Sequence, residues 1–152
     1  MDARREQAAA IRPILGVGGL VFDQDQILLV RRGAHPAKGA WSIPGGKLRL
    51  GESIADGVAR ELLEETGLIV EVGQFVAVYE RLPRPGAIGD DAHYVVLDYI
   101  CTATGGLLRA GDDADEARWF PMRDLATLHL TPGAAAVIRK GHGLTAGPER
   151  ST

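Results

Sequence analysis

The stretch 46–68 constrains the fold of this chain more than any other, because local signals mark both ends of a helix within it. Ser53 suits the N-cap position, and Asp56, three residues later, makes a variant of the capping box. Gly67 is typical of a C-terminal stop. The sequence therefore predicts a helix over 53–66. Its apolar sector, which we expect to be buried, comprises Ala55, Val58, Ala59 and Leu62.

An acidic face occupies the second half of this predicted helix. Residues three and four apart are neighbours on a helix, so Glu61, Glu64 and Glu65 lie together, with Arg60 beside Glu64. These carboxylates repel one another, more strongly where water is excluded, and a cation would relieve the repulsion. Oxygen ligands without histidine or cysteine suit Mg²⁺ or Mn²⁺. The preceding Ile-Pro-Gly-Gly turn, 43–46, favours a metal site because glycine lets main-chain carbonyls approach a ligand. A solvated acidic face is the alternative.

The same stretch resembles the Nudix box, Gly-x5-Glu-x7-Arg-Glu-U-x-Glu-Glu-x-Gly-U, in which U is aliphatic. Segments 39–46 and 116–121 outside the box are also similar to a Nudix domain. On these residues the chain is identified as a member of the Nudix hydrolase family, similar over roughly residues 14 to 140. The matching box positions are Gly46, Glu52, Arg60, Glu61, Leu62, Glu64, Glu65, Gly67 and Leu68.

The resemblance implies the Nudix fold, an α/β (α+β) architecture in which a mixed β-sheet lies between α-helices. The order of β-rich and helical segments agrees with this architecture. We expect residues 1–13 to form a tail, 14–140 a single domain and 141–152 a disordered tail. Thr131 is the expected N-cap of a last helix ending near Lys140. The predicted strands are 16–22, 27–31, 41–43, 68–80, 93–104 and 118–120.

The resemblance also assigns roles within the box. It implies that Glu61, Glu64, Glu65 and the main-chain carbonyl of Gly45 hold Mg²⁺ or Mn²⁺. Such a metal neutralises the oxygens of a diphosphate and activates water by lowering its pKa. Arg60 is implied to orient a glutamate, with a surface ion pair as the alternative. Glu52 is implied as an accessory carboxylate near the metal or its water.

The general base is assigned outside the box. Glu116 is the leading candidate because it follows a Gly-Asp-Asp loop, and Asp112, Asp113 and Asp115 share that segment. Solvation of a loop is the alternative for all of them. A box glutamate freed by ligand exchange could also act as the base, and Glu64 is placed among both the catalytic and the metal-binding residues.

Three arginines are predicted to contact substrate phosphates or ribose. Arg31 and Arg32 end a strand near the Pro-Gly-Gly turn; a regular strand would turn only one toward the cleft, and we favour Arg32. Arg81 and Arg84 flank Pro83 in a long loop, where an ordinary basic loop is the alternative. Trp41 and Tyr79 could stack on a base or belong to the core. The histidines, to which no role is assigned, are His35, His93, His129 and His142.

The substrate is assigned only through the resemblance. A proline sixteen positions after the box marks the ADP-ribose pyrophosphatase branch, and Pro83 lies sixteen after Gly67. We therefore favour a nucleoside diphosphate linked to another moiety, such as ADP-ribose, cleaved to AMP and ribose 5-phosphate. A MutT-like enzyme acting on nucleoside triphosphates, including oxidised ones, is one alternative. A non-catalytic nucleotide-binding module is another, and the intact box weighs against it.

Composition limits the remaining classes. The chain has 152 residues, 45% of them hydrophobic, which suffices for the core of one domain. A net charge of −3 predicts no general attraction to duplex nucleic acid or to an anionic membrane. Cys101, the only cysteine, cannot form an intrachain disulfide and fits a reducing compartment. With no signal peptide recognised, we expect a cytoplasmic protein. The family resemblance adds a possible homodimer.

Overall fold

The computed structural model describes residues 12–33, 38–84, 92–111 and 114–146. Within these ranges, no helix combines the length and the apolar character needed to span a membrane. The elements are β1 (Ile14–Asp23), β2 (Gln26–Arg32), β3 (Trp41–Ser42), β4 (Gly45–Lys47), α1 (Ile54–Thr66), β5 (Leu68–Arg81), β6 (Tyr94–Gly106), β7 (Ala114–Pro121), a 3₁₀ helix (Met122–Thr127) and α2 (Ala134–Ala146).

The strands form one mixed sheet of seven strands. Its main order is β3-β2-β1-β6-β5, with β4 added beside β1 and β7 beside β2. β1 is parallel to β6, whereas the other strand pairs are antiparallel. The start of β1, residues 16–18, pairs with β4, and its end, residues 22–23, pairs with β2. The predicted mixed sheet is confirmed.

The two faces of the sheet pack against different helices. Successive side chains of a strand point to opposite faces, so Leu20 and Val21 of β1 belong to separate clusters. Val21 clusters with Val58 and Leu62 of α1, whereas Leu20 clusters with Ile138 of α2. Val58 and Leu62 are fully buried, which contributes about 1.5–3 kcal/mol each relative to exposure. The sheet therefore lies between the helices, as the resemblance implies.

Helix α1 begins and ends where the sequence predicts. The Ser53 hydroxyl accepts a hydrogen bond from the Asp56 backbone N–H at 3.1 Å, and Gly67 adopts a left-handed conformation with φ of 75°. One detail is wrong, because Ala55 is exposed rather than buried. The buried stripe is rotated away from it and runs through Gly57, Val58, Leu62 and Thr66.

Helix α2 differs from its prediction at both ends. It begins at Ala134 because Gly133, with φ of 82°, interrupts the helical backbone after Thr131, so Thr131 is not the N-cap. It also continues to Ala146, through residues predicted to be a disordered tail. The reason is packing: Gly141 lies so close to Leu20 of β1 that a Cβ there would be 2.9 Å from it. The glycine allows a close approach instead of ending the helix.

Strand β7 begins earlier than predicted. Its antiparallel ladder with β2 extends from Gln26 opposite Pro121 to Arg32 opposite Ala114. Asp115 and Glu116 therefore lie in a strand, and the predicted loop position of both is wrong. Asp112 and Asp113 lie outside the described residues.

Candidate active site

A cavity of about 790 Å³ opens where β1, β4, α1, β5 and β6 meet the turn before α2. This volume is within the range of small-molecule sites, about 300–1,000 Å³. The cavity is lined by five residues that the sequence predicts for the metal and catalytic site, one from β4 and four from α1: Gly45, Arg60, Glu61, Glu64 and Glu65. Residues far apart in the chain thus reach one cavity.

Arg60 connects the carboxylates of this region. Its Nε and Nη2 donate to the two oxygens of Glu52 at 2.6 and 2.8 Å. Its Nη1 donates to Glu61 at 2.7 Å and to Glu64 at 3.2 Å, and Nη2 also donates to the carbonyl of Lys47 at 3.0 Å. Only 16% of the Arg60 side chain is exposed. The alternative of a surface ion pair is therefore wrong, because Arg60 is an enclosed bridge among three carboxylates.

The hydrogen bonds between Arg60 and Glu52 shift the pKa of both groups. The hydrogen bond from Arg60 lowers the pKa of Glu52 from 4.5 to about 2, opposed by desolvation and assisted by the backbone N–H of Arg49. Hydrogen bonding to Glu52 raises the pKa of Arg60 above its ordinary value. Both groups are therefore charged throughout the physiological range. Glu52 does not line the cavity. Its charge acts through Arg60.

The glycines of the Pro-Gly-Gly turn leave space for the Glu61 carboxylate. A Cβ at Gly46 would be 2.5 Å from Glu61 Cδ, and one at Gly45 would collide with the backbone of Val17 in β1. Because neither glycine has a side chain, β4 packs directly on β1 and Glu61 packs directly on β4. The carboxylate is thus fixed between a strand backbone and the Arg60 guanidinium.

Glu64 and Glu65 complete the acidic side of the cavity. Glu64 has 31% of its side chain exposed and lies 3.5 Å from Arg49 as well as near Arg60. Within the described ranges, no three acidic, histidine or cysteine side chains are close enough to share one metal ion. The donors are all oxygens, however, and Mg²⁺ usually binds through one or two carboxylates completed by water and substrate phosphates. The residues fit such an open site rather than a closed protein cage.

Arginines outside the box also line the cavity. Arg31, Arg32 and Arg81 all contribute, whereas Arg84 is not among the lining residues. The expectation that only one of Arg31 and Arg32 faces the cleft is wrong, because both line the cavity. They lie at the end of β2, where the ladder with β7 shifts register and leaves Asp115 of β7 as the extra residue of a bulge.

The aromatic candidates separate into core and cavity residues. Trp41 packs edge-on against Phe120 at 4.7 Å between ring centroids and does not line the cavity. Tyr79 does line it, and its ring lies against the turn at Gly133, where a Cβ would overlap the ring. Trp41 therefore belongs to the core, and Tyr79 remains available to a ligand.

Glu116 is engaged elsewhere. In β7 it is opposite Arg31, to which it forms an ion pair at 3.4 Å, and it also bonds to Arg118. It is not among the residues that line the cavity. The structure gives no support to Glu116 as the general base.

Sequence reasoning missed several charged cavity residues, among them Arg49 and, on β6, Asp98. Asp98 is 3% exposed, and burial raises its pKa from 3.8 to about 6. The available signal was a single charge inside the apolar strand Tyr-Val-Val-Leu-Asp-Tyr-Ile-Cys, where a carboxylate is costly unless it serves a purpose.

Comparisons with known proteins match this arrangement to a family. The model of the NUDIX domain matches residues 12–141. The chain belongs to the Nudix family. It is 37% identical over 121 residues to the ADP-ribose pyrophosphatase of Methanocaldococcus jannaschii, covering 78% of this chain and 68% of that one. It is 32% identical over 124 residues to the 8-oxo-dGDP phosphatase NUDT18 of Homo sapiens, covering 74% of this chain but only 36% of that protein.

A solved structure agrees with the Nudix assignment. The MutT NUDIX hydrolase from Burkholderia pseudomallei superposes with a TM-score of 0.73 at 26% sequence identity, covering 85% of this chain and 98% of that one. The family resemblance found in the sequence and the fold it implies are confirmed. The domain match and these relatives indicate a pyrophosphohydrolase.

Proposed function

We propose that this Nudix chain hydrolyses the diphosphate of a nucleoside diphosphate linked to another moiety, with ADP-ribose as the favoured substrate and AMP and ribose 5-phosphate as products. The observation that carries the proposal is one cavity lined both by box glutamates and by Arg31, Arg32 and Arg81. The identity to an archaeal ADP-ribose pyrophosphatase supports the choice of substrate.

The acidic side of the cavity is the proposed place for Mg²⁺ or Mn²⁺. One or two of the carboxylates of Glu61, Glu64 and Glu65, with the Gly45 carbonyl, would hold the ion, and water and substrate phosphates would complete its coordination. The ion would neutralise phosphate oxygens and lower the pKa of an attacking water. Arg60 orients Glu61 and compensates the repulsion among the carboxylates. This compensation matters because adjacent carboxylates would otherwise raise one another's pKa and lose ligand charge.

Glu64 is the proposed general base. It lines the cavity and is the most exposed of the three glutamates that contact Arg60. Its oxygens can therefore reach a water molecule while Glu52 and Glu61 stay enclosed. The accepting oxygen of a base must come within about 2.6–3.2 Å of the water oxygen that loses the proton. Glu64, which lines the cavity, suits this requirement better than Glu116, which does not line it.

Arg32 and Arg81 are proposed to bind the phosphates. A guanidinium offers two parallel N–H donors to a phosphate and keeps its charge at any physiological pH. Binding there would hold the diphosphate in the cavity that the box glutamates also line. A MutT-like activity toward nucleoside triphosphates is the second candidate, favoured by the structural similarity to a MutT hydrolase.

The test is hydrolysis by the purified chain with Mg²⁺ or Mn²⁺, using ADP-ribose and nucleoside triphosphates as substrates. We expect AMP and ribose 5-phosphate from ADP-ribose; a nucleoside monophosphate and pyrophosphate from a triphosphate would instead favour the second candidate. Glu61→Gln should lower turnover by orders of magnitude, whereas Glu71→Gln, on the exposed side of β5, should not. Absence of turnover by folded protein with either metal would contradict both activities.

A further inference from the structure

Asp98 is a buried carboxylate in the cavity to which the proposed reaction gives no role. It is 3% exposed and yet lines the cavity. Its position depends on Gly18, the residue opposite it in the parallel pair of β1 and β6, because a Cβ at Gly18 would overlap Asp98 Oδ1. The carboxylate thus lies over a bare stretch of β1 backbone at the cavity wall.

No protein group compensates this carboxylate. Within the described part of the chain, Asp98 has no hydrogen bond or ion pair, and burial is the one cause that raises its pKa to about 6. Burying a charge without a partner costs several kcal/mol unless something else binds it. Such violations of the rules of packing concentrate at functional sites. The structure therefore lacks the donor for which this acceptor is suited.

The surroundings of Asp98 favour a flat, partly apolar ligand. The cavity wall nearby is formed by Tyr79 of β5, Val96 of β6 and Val137 of α2. The backbones of Asp98 and Gly45 are about 10 Å apart, two strand spacings, with Gly18 of β1 between them. The Asp98 carboxylate itself extends over Gly18 toward the carbonyl of Pro44, so it lies closer to the metal side than its backbone does. Because the box glutamates, Asp98 and these apolar side chains line one cavity, a nucleotide with its phosphates at the glutamate side can extend its base along this wall to Asp98.

We propose that Asp98 accepts a hydrogen bond from the amino group of a nucleobase and thereby sets the base preference of the enzyme. A carboxylate repels phosphate, so Asp98 also fixes which end of the ligand enters this part of the cavity. A single polar group in an apolar wall discriminates strongly between ligands that carry the matching donor and ligands that lack it. A ligand without the donor leaves the buried acceptor without a partner. The inference rests on the proposed function only in taking the ligand to be a nucleotide.

The decisive experiment compares nucleotides that differ by one amino group. AMP is compared with purine riboside 5′-monophosphate, which lacks the 6-amino group, and GMP with IMP, which lacks the 2-amino group. In titration calorimetry the wild type should bind the amino-bearing member of at least one pair about tenfold more tightly, as expected for a hydrogen bond to a charged acceptor. Equal affinities within both pairs would refute the proposal.

Variants of Asp98 locate the effect. Asp98→Leu keeps a similar volume without an acceptor and should abolish the discrimination, whereas Asp98→Asn keeps one acceptor oxygen and should reduce it. Asp124→Asn, at a half-exposed carboxylate of the 3₁₀ helix, should leave it unchanged. If Asp98→Leu does not fold, full discrimination in Asp98→Asn overturns the proposal. The same discrimination in a folded Asp98→Leu also overturns it.

Thermal unfolding separates recognition from a structural role. Because Asp98 is an uncompensated buried charge, both variants should melt at the wild-type temperature or above it. Binding of monophosphates requires no turnover. Failure to hydrolyse any diphosphate would therefore refute the proposed reaction alone. Equal binding of nucleotides with and without the amino group would refute the role of Asp98 alone.

Discussion

A single methyl group at Gly46 should disable the site without unfolding the protein. A Cβ there would be 2.5 Å from Glu61 Cδ and 2.6 Å from both carboxylate oxygens. Optimal contacts between such atoms are about 3.5–4.0 Å, so Gly46→Ala must displace the Glu61 carboxylate by about 1 Å. Misplacement of a catalytic group by that distance can cost about 10² in rate. We expect a loss of this order in kcat/KM for ADP-ribose, together with weaker activation by Mg²⁺.

The stability of Gly46→Ala should change much less than its activity. The displaced atoms are the end of a flexible side chain, so the cost should be near the lower end of the 1–3 kcal/mol typical of overpacking. Gly143→Ala is the matched control, because a Cβ there meets nothing within 4 Å and the helical position should gain about 0.5–1 kcal/mol. Wild-type kcat/KM and metal activation in folded Gly46→Ala would refute the reasoning about Glu61.

Three further expectations concern the base, the phosphate contacts and acid stability. Glu64→Gln should lower kcat by about 10²–10⁴, as expected for loss of a general base. The kcat of Glu116→Gln should stay within about tenfold of the wild type. If steady-state kinetics show the larger loss in Glu116→Gln, the general base is Glu116 and the proposal for Glu64 is wrong. Arg81→Ala should raise the KM for ADP-ribose by about tenfold or more, and Arg84→Ala should raise it much less, because of these two residues Arg81 alone lines the cavity. Equal KM values in the two variants would contradict this expectation. Because hydrogen bonding to an arginine lowers the pKa of Glu52 from 4.5 to about 2, its stabilising contribution is present above pH 4.5 and is lost as the pH falls toward 2. In denaturant titrations Glu52→Gln should therefore lose less stability over that interval than the wild type, and parallel losses would exclude the linkage.

The features that the sequence predicted well depend on neighbours in the chain. The ends of α1 follow from Ser53 and Gly67, whose hydrogen bonds stay within one helical turn. The burial of Val58 and Leu62 follows from helical periodicity, and so does the shared face of the box glutamates. Such features carry their signal locally, so the sequence predicted both the helix and the acidic side of the cavity.

The features that it missed depend on partners distant in the chain. Arg31 and Arg32 both line the cavity at the end of β2, where the ladder with β7 shifts register, and such an irregularity is determined by strand pairing rather than by neighbouring residues. Gly141 continues a helix because it fits against Leu20, more than a hundred residues earlier. Glu116 looked mobile from its glycine-containing segment, but its pairing with β2 places it in a strand.

The Arg60 bridge has a consequence for how the polypeptide matures. Its guanidinium supplies a permanent internal counter-charge to Glu52, Glu61 and Glu64, and it cannot lose its proton at any pH that a cell reaches. We therefore expect folding to need no divalent ion, in contrast to small domains whose folding energy is metal-binding energy. With the proposed metal dependence, newly made chains would fold during metal scarcity and become active once the ion binds. Chelation should accordingly abolish the activity of this protein reversibly without changing its melting temperature.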